Sequence, residues 1–190
     1  MTTKILAFSG SAKKSSLNQK LVTCAAQYAK EAGAEITVIN LGDFNLPLFD
    51  EDLEREQGTP QGAVELKELM KSHHGFLISS PEYNSSITPL LKNAIDWASR
   101  KADDESNLEC FDGKVIGLMA CSPGALGGMR GLFHVTSILG SIKSIVLPHQ
   151  IAVGNGYQAF DQQGKLVEKK DIEAVRNISQ KTVEFATKLK

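Results

Sequence analysis

Three short stretches hold the residue types from which a site for a charged, planar ligand can be built. The first is Ser9-Gly10-Ser11-Ala12-Lys13-Lys14-Ser15-Ser16-Leu17-Asn18, with four hydroxyls, a glycine and two cations. Unpaired backbone amides and the positive end of a following helix both favour an anion, so this loop reads as a phosphate cradle. Ser16 and Gln19 also have capping-box spacing, a purely structural use of the same residues. The stretch lacks G-x-x-x-x-G-K-[ST], which argues against a nucleotide triphosphatase. The second stretch is Pro81-Glu82-Tyr83-Asn84-Ser85-Ser86-Ile87-Thr88-Pro89. Tyr83 offers a flat surface, and Asn84 with the turn amides can address the polar edge of a heterocycle, although a plain turn uses the same residues. The third, Ser122-Pro123-Gly124-Ala125-Leu126-Gly127-Gly128-Met129-Arg130, has three glycines in five residues and lets backbone approach a flat ligand closely.

The elements that must position these loops alternate along the whole chain. Apolar runs at 4–9, 35–40, 75–80, 114–121 and 144–147 read as strands. Helical periodicity is expected over 17–32, closed by Gly33, and over 63–72, 89–101, 127–140 and 171–190. Thr88 is the expected N-cap of the 89–101 helix, with Pro89 at its first position. Residues 41–61 read as one long acidic loop, functional or an oligomer contact. Five strands alternating with helices imply an α/β domain, 1–190, with a parallel sheet covered on both faces. Ligands of such sheets bind beyond the carboxyl ends of the strands, which is where Ser9, Ser80 and Cys121 fall.

Composition excludes several classes. The 190 residues carry 21 Lys+Arg against 22 Asp+Glu, a net charge of −1, so no nucleic-acid partner is expected. The longest apolar runs, such as Val115–Cys121, are too short to span a bilayer, and no signal-peptide pattern opens the sequence. A cytoplasmic protein with no membrane partner is the expectation. Cys24, Cys110 and Cys121 suggest neither a disulfide framework nor a zinc site. His73-His74 reads as a helix-end dipole partner rather than a metal pair, and no metal site is expected. Cys121 reads as packing, with a redox thiol as the alternative; Trp97 reads as core or subunit interface, and Lys92–Asp96 as a surface ion pair. Gly154-Asn155-Gly156-Tyr157-Gln158-Ala159 fits G-x-G-x-x-A, but Phe160-Asp161-Gln162-Gln163-Gly164 after it does not read as a helix, so a dinucleotide fingerprint is discounted.

Taken together, Gly10-Ser11-x-Lys13-Lys14-x-Ser16-x-Asn18, Pro81-Glu82-Tyr83-Asn84, Leu91-Lys92-Asn93-Ala94-Ile95-Asp96-Trp97 and the 122–130 loop resemble the NADPH-dependent FMN reductase family. The resemblance runs in order from Lys4 to Leu147. It implies a flavodoxin-like three-layer sandwich with a five-stranded parallel sheet of order 2-1-3-4-5. It also implies FMN as cofactor and NADPH as cosubstrate. By the same resemblance Ser11, Lys13, Ser16 and Asn18 hold the FMN phosphate, with Ser9 and Leu17 in the same loop. Pro81, Glu82, Tyr83 and Asn84 line the isoalloxazine, Ser122 and Gly124 close its other side, and Arg130 meets the 2′-phosphate of NADPH. Two departures stand out. Lys13 replaces the usual arginine, a point charge in place of a bidentate grip, and Thr88-Pro89-Leu90 replaces a proline-glycine pair, which places a bulkier residue near the substrate mouth.

The expected function is transfer of hydride from NADPH through bound FMN to a quinone-like or other small oxidised acceptor. The cofactor carries the chemistry, so no catalytic side chain is named. Amides of the Glu82–Asn84 turn are expected to meet negative charge on the flavin. The alternatives are a flavodoxin-type electron carrier without pyridine-nucleotide turnover, which −1 suits poorly, and a flavin-binding regulatory subunit. A homodimer or homotetramer is expected, with the 42–58 loop as a contact.

Overall fold

In the computed structural model, which describes residues 1–102 and 105–190, six parallel strands form one sheet. They are β1 (Lys4–Ser9), β2 (Glu35–Asn40), β3 (Gly75–Ser79), β4 (Val115–Cys121), β5 (Ile145–Val146) and β6 (Ile151–Val153). The order is β2-β1-β3-β4-β5, with β6 also paired to β4, so the flavodoxin-like order is borne out. The helices are α1 (Leu17–Glu31), α2 (Glu51–Gln57), α3 (Gln61–Ser72), α4 (Pro89–Ser99), α5 (Met129–Ser141) and α6 (Lys169–Leu189).

The central strands are continuous apolar runs because both of their faces are covered. Alternate residues serve different cores. Ile5, Ala7, Leu77, Val115 and Met119 pack under α1 and α6. Leu6, Phe8, Phe76, Ile78, Ile116 and Leu118 pack under α3, α4 and α5. Register then aligns the strand ends: Ser9 lies beside Ser79, Ser79 beside Met119, and Cys121 beside Val153.

The edge beyond β4 differs from expectation. The fifth strand is only two residues long and pairs with Val115 and Ile116 at the start of β4. After Pro148, which has no amide to give a ladder, the chain resumes as β6 against Met119, Ala120 and Cys121. One seven-residue strand thus carries two short neighbours end to end.

The 41–61 stretch is also more ordered than a loop. It contains a 3₁₀ turn at Leu41–Phe44 and the helix α2, which Asp50 caps by accepting from the amides of Asp52 (2.7 Å) and Leu53 (3.3 Å). The acidic cluster at 50–54 is a helix N-terminus, with negative charge on the dipole's positive end. Helix α4 straps this segment down. Asn93 donates to Pro47 O (2.8 Å) and accepts from the Phe49 amide (2.8 Å), and the Trp97 indole also donates to Pro47 O (2.8 Å). Phe49 meets Trp97 edge-on at 5.0 Å, and Arg100 pairs with Glu54. Trp97 is fully buried, so its core reading holds.

Candidate active site

An open cleft lies at the carboxyl ends of β1, β3 and β4, lined by the loops that follow these strands. Its floor is the β1–α1 loop, which the chain shapes from within. Ser9, fully buried, accepts from the Ser11 amide at 3.2 Å, and Ser11 Oγ accepts from the Lys13 amide at 3.3 Å. Ser16 donates its amide to Lys13 O (3.0 Å) and caps α1 by accepting from the Gln19 amide (3.2 Å). With the Ser16 amide engaged, the reciprocal half of the capping box is not made, and Gln19 Oε1 is buried without a partner among the described residues. Among the described residues the amides of Ala12, Lys14, Ser15, Leu17 and Asn18 have no protein partner. A row of free donors at a helix N-terminus, beside Lys13, fits a phosphate.

Gly10 is fixed by crowding rather than by φ. A Cβ there would stand 3.0 Å from Leu91 Cβ and from Pro81 Cδ. Thr88 Oγ1 donates to Gly10 O (2.6 Å) and accepts from the Leu91 amide (3.2 Å), so one hydroxyl caps α4 and anchors the phosphate loop. Thr88 is buried, so at this position the departure from the family pattern ties two loops together.

The Asn18 side chain is wholly internal. Its Oδ1 accepts from the Cys121 amide (2.9 Å) and Ser79 Oγ (2.8 Å), while Nδ2 donates to Cys121 O (2.8 Å). Toward a ligand it offers chiefly its backbone amide.

The wall after β3 is a tight turn with Asn84 at φ 50° and Ser85 at φ 66°. The Tyr83 amide donates to Ser86 O (2.9 Å), while the amides of Glu82 and Asn84 have no partner among the described residues. Tyr83 keeps its ring half exposed along the cleft. Glu82 Oε1 accepts from Arg130 Nε (2.9 Å), and Oε2 accepts from the Gly131 amide (3.0 Å). Burial works against its charge, but the Gly131 amide and the Arg130 guanidinium outweigh it and hold the carboxyl below its ordinary range. Arg130 is thereby oriented by Glu82 through Nε and Nη2, which leaves Nη1 without a partner among the described residues.

Ser11, Lys13, Ser16, Leu17, Asn18, Pro81, Glu82, Tyr83 and Ser122 all line the cleft. Ser9 supports it from below, and Asn84, Gly124 and Arg130 sit outside its lining. Ser15, Cys121, Pro123 and Tyr157 line it too, beyond the expected set. Cys121 is buried in the core under α1 and α6, and burial pushes its thiol up to about 12. The signal for Tyr157 was present: the apolar run 151–153 stops at glycine, as the first strand does at Gly10.

Residues 3–158 match the family described as NADPH-dependent FMN reductase. The chain belongs to that family. It is 31% identical over 176 residues to an NAD(P)H-dependent FMN reductase of Pseudomonas aeruginosa, covering 91% of this chain and 89% of that one. Against a quinone reductase of Escherichia coli it is 33% identical over 145 residues, or 76% of this chain and 73% of the other. Among solved structures, a flavoenzyme NAD(P)H:(acceptor) oxidoreductase from Paracoccus denitrificans shares the fold with a TM-score of 0.84 at 24% identity, covering 99% of each chain. FMN reductases of this family are enzymes that use FMN with NAD(P)H as electron donor, and the free amides and Lys13 described above suit that cofactor's phosphate.

Proposed function

We propose that this chain holds FMN in the cleft and passes electrons from NADPH to a quinone-like or similarly small oxidised acceptor. The free amides of Ser15, Leu17 and Asn18 carry the reading, because these residues line the same cleft that Tyr83 walls. Ser11, Lys13, Ser16 and the Leu17 and Asn18 amides take the phosphate, with Ser9 holding the loop's shape. Pro81, Glu82 and Tyr83 flank the ring on one side and Ser122 on the other, with Asn84 and Gly124 adjoining them just outside the lining. FMN, when bound, supplies two-electron exchange between nicotinamide and acceptor.

The chain's own part is binding and orientation. Glu82 is locked by Arg130 and Gly131, and Cys121 remains a buried thiol, so neither is poised to move a proton. The Glu82 amide, free of a protein partner among the described residues and on the cleft lining, is our candidate to meet negative charge at the ring's polar edge, with the free Asn84 amide next to it in the turn. Arg130, aimed by Glu82, takes the 2′-phosphate of NADPH through its remaining donors. The relatives named quinone reductase support the class of acceptor.

A homodimer or homotetramer in the cytoplasm completes the reading. Leu48 on the 42–58 segment is exposed, as are Leu126 in the β4–α5 loop and Met129 and Phe133 on α5. No helix among the described residues is long and apolar enough to cross a membrane. A monomeric mass by light scattering would remove the oligomer from the proposal. The central test is an absorption spectrum of the purified protein with an anaerobic NADPH titration. Flavin bands that bleach on titration are expected, whereas a colourless protein that does not take up FMN would overturn the reading.

A further inference from the structure

We propose that Tyr157 is a flavin-retaining residue, the aromatic wall of the cleft that comes from the far side of β4. The inference rests on the reading of the cleft as an FMN site.

The loop that carries Tyr157 is built into the site rather than draped over it. The Asn155 amide donates to Gly124 O (3.2 Å), the Gly156 amide to Ser122 O (2.9 Å), and the Ser122 amide returns a bond to Val153 O (3.2 Å). The two loops also approach too closely for side chains. A Cβ on Gly154 would stand 2.4 Å from Ala125 O. One on Gly156 would stand 2.7 Å from Leu17 Cδ1 and 2.8 Å from Cys121 Sγ. Gly156 therefore sets the backbone of the next residue directly over the start of α1 and the end of β4. Val153 and Ala159, on either side, are buried and fix both ends of the loop.

On this pinned loop Tyr157 is 71% exposed and is one of the residues that line the cleft, together with Lys13, Ser15, Leu17 and Pro123. Its hydroxyl has no hydrogen-bond partner among the described residues. Leaving a large aromatic face open to water beside a phosphate cradle forgoes the burial that a tyrosine ring usually finds. A planar ligand with a phosphate tail supplies both the face to cover it and the charge for Lys13. The G-x-G-x-x-A pattern at 154–159 thus has a role without a dinucleotide helix: its glycines permit the contact that brings Tyr157 to the cleft.

The test is titration of flavin-free protein with FMN and with riboflavin, read by flavin fluorescence, on wild type, Tyr157→Ala and Tyr157→Phe. Loss of an aromatic face is expected to weaken FMN binding about tenfold in Tyr157→Ala, and riboflavin binding by a similar factor. Tyr157→Phe should bind like wild type, and the thermal midpoint of the flavin-free variants should not move. Wild-type affinity in Tyr157→Ala overturns the assignment, as does a loss in Tyr157→Phe equal to that in Tyr157→Ala. Unchanged flavin affinity with a raised KM for NADPH also overturns it, because the ring would then serve the dinucleotide. A wild-type protein that binds neither flavin removes the FMN reading itself, and this inference with it.

Discussion

Asn18 ties three elements together through one amide: its own helix, the Ser79 hydroxyl on β3 and both backbone groups of Cys121 on β4. Asn18→Ala would leave those three groups buried and unpaired, at about 1–3 kcal/mol each before relaxation. A fall in unfolding free energy of about 3 kcal/mol or more is therefore expected in urea titration, and a loss under about 1 kcal/mol would show that water replaces the amide freely. Reading Asn18 as a phosphate ligand accounts for its free backbone amide but not for the internal role of its side chain. Nothing local distinguishes the two uses, because the partner at Cys121 lies 103 positions away. The Ser16 cap was legible for the opposite reason: what a helix N-terminus requires is decided by immediate neighbours. Glu82 shows the same division, since its place in the turn was readable and its clasp on Arg130 and Gly131 was not.

Elements were legible where burial fixed their pattern. β1, β3 and β4 are apolar along their length because helices cover both faces, and α4 announced itself through Thr88 and Pro89. α2 was not, since no residue in it is buried; tertiary ties from Asn93, Trp97 and Arg100 hold its approach in place. The junction of α3 and β3 carries a testable consequence. His74 Nδ1 accepts the Lys4 amide at 2.9 Å, and His73 bridges Leu69 O (2.6 Å) and Thr37 Oγ1 (2.9 Å). Burial lowers the affinity of both rings for a proton, and Lys114 adds to the effect on each. His73 meets the Leu69 carbonyl in the last turn of α3. With folded-state values below the unfolded one of about 6.5, the unfolded chain binds more protons as pH falls. Stability contributed by the pair is present above that value and is lost as pH drops through the folded values. Urea midpoints should fall between about pH 7.5 and about pH 5. The slope should flatten in His73→Gln/His74→Gln, and an equal slope in that variant would assign the effect to other groups.

At the scale of the whole molecule, a near-neutral total hides an uneven layout. Lys13 and Lys14 stand at the carboxyl end of the sheet beside free amides, while the acids of 50–56 lie on the strapped segment. A phosphate-bearing ligand in the cleft bridges loops from β1, β3 and β4, so it should stabilise the fold as one unit. At a hundred times its dissociation constant, FMN should add about 2.7 kcal/mol. For a chain of this length that is a rise of roughly 5–10 °C in thermal midpoint. Ser11→Ala/Lys13→Ala should shrink the shift given by FMN while leaving any shift from riboflavin in place. Equal loss for both ligands would place the phosphate elsewhere.

The interrupted edge beyond β4 has a bearing on how copies of this chain can meet. Two short strands separated at Pro148 offer no long row of open amides and carbonyls, so that margin cannot template a neighbouring sheet. Growth of a continuous intermolecular ladder is blocked on that side by geometry alone. Self-association there must run through side chains, whose shape and charge discriminate between partners, and not through the backbone, which would accept any strand.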